Sequence, residues 1–112
     1  MKVKTNILNG VALDWAVAQC ENEKVSMVRG QLEAQWTDNG WRPSADWAQG
    51  GTIIEHERIT LDYNPIKSKG RPWTATMPSG AEEQGATPLI AAMRAYVSSV
   101  FGDDVDIPED LL

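Results

Sequence analysis

Between Gly10 and Cys20 the apolar residues Leu13, Ala16, Val17 and Cys20 recur at i, i+3, i+4 and i+7, the spacing that lines one face of a helix. A second stripe, Leu89, Ile90, Met93, Val97, Val100 and Phe101, predicts the final helix. Thr87 is an N-cap residue, Pro88 occupies the first turn, where its missing N–H is harmless, and Gly102 follows the last periodic residue. Elsewhere the period is two. Residues 59–63 and 73–77 alternate as strands do and predict an antiparallel hairpin, with the Pro65–Pro72 connection as an exposed loop. Lys2–Thr5 reads as a short edge strand, and Val25–Val28 and Gln31–Trp36 as weaker strands. Asn39-Gly40 offers a tight turn after them, and a loop is the alternative there. Gly80–Ala86 reads as a loop and the residues after Gly102 as an extended or strand-like tail.

The middle of the chain is harder to divide. Ser44 is a good N-cap, since its hydroxyl can accept a backbone N–H two or three residues on. Gly50-Gly51 then interrupts the pattern, because each internal glycine costs a helix about 1 kcal/mol relative to alanine. The expectation is a capped turn at 44–48 and a second helix from Gly51 to Arg58.

The outer faces of the two clear helices are unusual. Ala91, Ala95, Ser98 and Ser99 lie opposite the stripe of the last helix, and Arg94 is the only charge between Pro88 and Phe101. Val11, Trp15 and Ala18 do the same on the first helix, where Asp14 is the only charge before Glu21. A helix apolar most of the way round is usually buried on two sides. A second subunit supplies the second side economically, which predicts a homodimer. The competing reading is that the tail and the 65–72 loop cover these faces within one chain.

At 112 residues the chain fits a single domain, 1–112, with residues 103–112 as an acidic C-terminal tail. Asp103, Asp104, Asp106, Glu109 and Asp110 carry most of the net charge of −6 and leave residues 1–102 near −1. Arg29, Arg42, Arg58, Arg71 and Arg94 are dispersed, so no basic face is expected and duplex nucleic acid is not a partner. A lone Cys20 forms no internal disulfide. Without a leader or a membrane-length apolar run, the expectation is a cytoplasmic protein with no membrane association.

Catalytic signatures are absent. The chain has one histidine and one cysteine, neither spaced for a metal site, and no nucleophile elbow or P-loop. No catalytic residue, metal ligand or cofactor is therefore assigned. His56 reads as part of a solvated helix face, and Asp46 as a carboxylate binding free N–H groups at a helix start. The five tryptophans are more suggestive. Core packing is favoured for Trp15 and Trp47, while Trp36, Trp41 and Trp73 are left open between core and binding. Flat indoles with Arg42, Arg71 and Arg94 nearby would suit a base plus a phosphate. Gly50-Gly51 would let backbone approach an anion, or let two backbones pack closely.

The stretches Leu13-Asp14-Trp15, Ser44-Ala45-Asp46-Trp47-Ala48-Gln49-Gly50-Gly51, Ile53-Ile54-Glu55 and Thr87-Pro88-Leu89-Ile90-Ala91-Ala92-Met93-Arg94 resemble the small NinX-like phage proteins. That family is similar to the phage alpha-beta-alpha sandwich proteins. The resemblance implies a phage-encoded protein of the infected bacterium, an α+β fold in which helices cover a small antiparallel sheet, and no known catalytic residue. Where family members tend to have proline this chain has Thr52, which supports a helix beginning near Gly51. The functional expectation is a non-enzymatic binding protein, with Trp41, Arg42, Ser44, Asp46, Trp47, Gln49, Gly50, Gly51 and Arg94 as candidate ligand-binding residues. One version sequesters a small nucleotide-type defence signal in a pocket at the dimer interface. The alternatives are a grip on a host protein through an exposed apolar patch, or a nucleotide-processing enzyme using Asp46 or Glu55 with a hydrated metal.

Overall fold

The computed structural model describes residues 1–34, 37, 40–66 and 70–112. Trp36, Asn39, Lys67 and Lys69, with their parts in the second-strand, turn and loop expectations, lie outside the described residues. Three helices, α1 (Gly10–Glu21), α2 (Trp47–Glu57) and α3 (Pro88–Phe101), pack with three small antiparallel sheets, an α+β arrangement. β1 (Lys2–Lys4) pairs with β7 (Asp104–Asp106), and β2 (Val25–Val28) with β3 (Gln31–Ala34). β4 (Thr60–Tyr63), β5 (Trp73–Thr76) and β6 (Glu82–Gly85) form a three-stranded meander. Among the described residues no helix is long and apolar enough to cross a membrane.

α3 is the centre of the molecule. It lies against β5 and β6, touches α1 and α2, and meets the N-terminal 3₁₀ turn Thr5–Ile7 and β7. Its ends follow from its sequence. The Thr87 hydroxyl accepts the Ile90 N–H at 3.1 Å, Pro88 begins the first turn, and the Gly102 N–H donates to the Ser98 carbonyl at the other end. Ala91, Ala92, Ala95 and Val97 are fully buried, and small side chains on several faces let neighbours approach closely. The backbone of β6 comes so near that a Cβ on Gly85 would stand 2.6 Å from the Ala91 nitrogen.

This enclosure removes the premise for a dimer along α3. Ala91 and Ala95, which suggested a missing second subunit, are covered by elements of the same chain. Only Ser99, Val100 and Phe101 at the end of the helix are exposed. On α1, Ala18 is likewise fully buried, while Val11 and Trp15 are partly covered. Part of the covering comes from the acidic tail, which is built into the fold. The tail contributes β7 and buries Val105 and Ile107 while its carboxylates face water.

Three local expectations are corrected, one at residues 82–85 and two at α2. Residues 82–85 form β6 rather than a loop, because their backbone completes the sheet beside β5 whatever their polar side chains suggest. The β2–β3 hairpin turns at Arg29-Gly30, both at positive φ. α2 starts at Trp47, and Asp46 rather than Ser44 is its N-cap, accepting the Ala48 N–H at 2.9 Å. It then runs unbroken through Gly50-Gly51. Gly50 is required by close approach, since a Cβ there would overlap the Pro43 carbonyl oxygen and stand 2.6 Å from Leu89 Cδ2.

Ala95→Glu places a carboxylate where no water reaches. It is expected to lower stability by about 3 kcal/mol or more, or to prevent folding, rather than to yield a folded monomer. Urea denaturation with size-exclusion chromatography of the soluble fraction checks this.

Candidate functional site

The candidate residues from 41 to 51 do come together, and hydrogen bonds hold them. Asp14, on α1, organises the group. Its backbone carbonyl accepts the Trp41 indole N–H at 2.8 Å, and its carboxylate accepts the Ser44 backbone N–H at 2.8 Å. The Ser44 hydroxyl also bonds the carboxylate. Asp14 is only 5% exposed, and burial pushes its pKa up to about 6 against the lowering effect of the Ser44 bonds and Arg42. Gln49 bridges the loop ahead of α2, accepting the Arg42 N–H at 2.8 Å and donating to the Gly40 carbonyl at 2.8 Å. Ser44, Asp46 and Gln49 thus each have a constructional partner, and so does Gly50 through its contact with Pro43.

The tryptophans sort differently from expectation. Trp41 is 4% exposed and belongs to the core, whereas Trp47, expected inside, is 55% exposed at the first turn of α2. The reason is helical geometry. The N-cap at Asp46 sets the phase so that Gly50 and Ile53 face inward, and residue 47 lies on another face. Trp15 and Trp73 are partly buried against the core, and Trp73 packs on Tyr63 across the hairpin at 4.9 Å between ring centroids. Arg42 is exposed, its backbone held by Gln49 and its guanidinium on the surface.

Arg94 does not join this group. It is 6% exposed; its Nε donates to the Leu8 carbonyl at 2.7 Å and its Nη1 to the Gln84 carbonyl at 2.9 Å. Burial and the neighbouring Arg71 lower its pKa, and Glu83 opposes them. A pocket lined jointly by Trp41, Trp47 and Arg94 is not assembled within one chain, because two of the three side chains are interior. What Trp41 and Gln49 do line is a surface depression of about 220 Å³, with Glu21, Ala48, Thr52 and Ile53. Glu21 was not among the sequence candidates. Its only sequence signal was its place at the end of a helix.

The carboxylates suggested for an enzyme are separated. Asp46 caps the start of α2 while Glu55 lies near its end, nine residues and about 13 Å further along the axis. Among the described residues no three of His, Cys, Asp and Glu gather as metal ligands. His56 is exposed, with Nδ1 2.8 Å from Glu57 Oε2. The Cys20 thiol is pushed up to about 12, mainly by burial and then by Glu21, and so stays protonated at neutral pH.

Two variants test these assignments. Arg94→Ala strands the Leu8 and Gln84 carbonyls and is expected to cost about 2–5 kcal/mol in chemical denaturation, as a constructional residue should. Asp14 has the opposite sign to a salt-bridged carboxylate. Its folded pKa of about 6 lies above the ordinary aspartate value of 3.8, so its contribution favours folding at low pH and is lost as pH rises from 4 through 6. Relative to Asp14→Asn, the wild type should lose about 2 kcal/mol of stability between pH 4 and pH 7. Urea titrations at the two pH values measure it.

The sequence model of a family described as Bacteriophage P22, NinX matches residues 4–99. No curated protein matches the chain.

Proposed function

Because the chain belongs to the Bacteriophage P22 NinX family, we propose that it is a non-enzymatic accessory protein that acts in the cytoplasm of the infected bacterium by binding a host protein through the surface around Trp47. The observation that carries this reading is the exposure of Trp47. It lies in the stretch on which the family resemblance rests, yet the core does not use it. An indole held on a capped helix start loses little freedom on binding, and Trp and Arg are the residue types that most often dominate interfaces. Arg42 stands exposed on the adjoining loop, where Gln49 fixes its backbone. The polar residues Ser44, Asp46 and Gln49 then support the surface rather than touch the partner.

The same pair favours a second reading. An exposed indole and an exposed guanidinium on adjoining segments suit a base and a phosphate, so a nucleotide-type signal could be sequestered there, with a second copy of the chain closing the site. Val100 and Phe101 offer a second copy an exposed apolar contact.

Trp47→Ala separates function from fold. As a surface change it should shift stability by no more than about 0.5 kcal/mol. A host protein recovered with the wild type from infected cells should be lost with the variant by at least tenfold in quantitative mass spectrometry, roughly the effect of one interface anchor. Equal recovery with both would retire the Trp47 surface. Native mass spectrometry showing a dimer with an added nucleotide mass would favour the second reading.

A further inference from the structure

The depression lined by Glu21 of α1, Trp41 of the loop ahead of α2, and Ala48, Gln49, Thr52 and Ile53 of α2 combines apolar walls with a single formal charge among the described residues. Its volume of about 220 Å³ is below the roughly 300 Å³ at which small-molecule sites begin, and is closer to the space one large side chain fills. The charge is fixed in place. Glu21 Oε2 accepts the Tyr96 hydroxyl at 2.7 Å, which leaves carboxylate lone pairs for further donors. Burial and Glu21 itself raise the Tyr96 pKa, so the phenol remains a donor and does not compete for a cation.

Among the described residues no Lys, Arg or His lies within ion-pair distance of Glu21. The charged side chains acting on Cys20 and Tyr96 at this end of the molecule are Glu21 and Glu57, both negative. Glu57 pairs with His56, while Glu21 is exposed and has no cation at ion-pair distance among the described residues. The result is an oriented carboxylate at the rim of an apolar recess, next to an indole.

We infer that this recess receives an arginine side chain of the partner protein, a conclusion that rests on the reading that the partner is a protein. The chemistry matches at both ends of that side chain. An arginine stem is apolar and can lie along Ala48, Ile53 and Trp41, while its guanidinium reaches Glu21 and forms a charge-assisted, forked hydrogen bond. Lysine would bring only a point charge, and a neutral side chain would leave Glu21 uncompensated.

The test uses the isolated full chain and N-acetylarginine amide as the probe, followed by two-dimensional NMR of the Trp41 indole N–H and the Glu21 amide. Saturable shifts in the millimolar range are expected, the affinity that one side chain alone can support. The isosteric neutral analogue, N-acetylcitrulline amide, should bind at least tenfold more weakly. Glu21→Gln, which keeps an acceptor for Tyr96, should lose the same factor, and Thr52→Phe should fill the recess from the exposed helix face and abolish the shifts. No saturable shift, equal binding of the citrulline analogue, or unchanged affinity in Glu21→Gln would each overturn the socket. Neither Trp47 nor the host protein enters this titration, so the socket and the Trp47 surface fail separately.

Discussion

The two hydrogen bonds from Arg94 tie together segments that are far apart in the chain. α3 is enclosed, and a full charge on an enclosed helix has to find acceptors among the elements that enclose it. It finds the Leu8 carbonyl, just before α1, and the Gln84 carbonyl in β6. Meeting that one requirement brings the N-terminal segment and the meander onto α3 together. The pairing of β1 with β7 follows, since the Thr5 N–H and hydroxyl donate to the carbonyls of Asp103 and Gly102 at the end of the same helix.

Asp14 plays a comparable part on the other side of the core. Its carboxylate and its carbonyl hold Ser44 and Trp41, so α1 carries the loop from which α2 starts. Asp46 and Gln49 finish that loop by capping and bracing it. The polar residues that stand out in the family-like stretches are therefore spent largely on building. Trp47, Arg42 and Glu21 remain as exposed groups on firmly held backbone. A binding role resting on them concerns the surface that the network presents rather than the network itself.

How legible this was depended on whether the determining interactions were local. α1, α3, its two caps and the β4–β5 hairpin followed from periodicity and capping chemistry, which act within a few residues. β6 was invisible because Glu82-Glu83-Gln84-Gly85 has neither the apolar alternation nor the β-branched residues of a strand. α2 was misjudged at its start because Gly50 looked like a break. Its meaning lay in the Pro43 carbonyl and the Leu89 side chain that press against it. Trp41 and Trp47, six residues apart, were sorted into core and surface by the Asp14 carbonyl that holds the first indole and by the phase of α2 that turns the second outward.

By itself the sequence determined the family, the α+β class, the positions of the clearest helices, and a charge distribution concentrated in the last ten residues. These depend on side-chain pattern and composition, which the chain carries in one dimension. Only the tertiary structure decided that the apolar helices are enclosed within one chain, that Ser44, Asp46, Gln49 and Arg94 hold the fold together, and that Glu21 and Trp47 face outward. Those outcomes depend on which distant backbone carbonyls and side chains reach each group, and partners dozens of residues away leave no mark in local spacing.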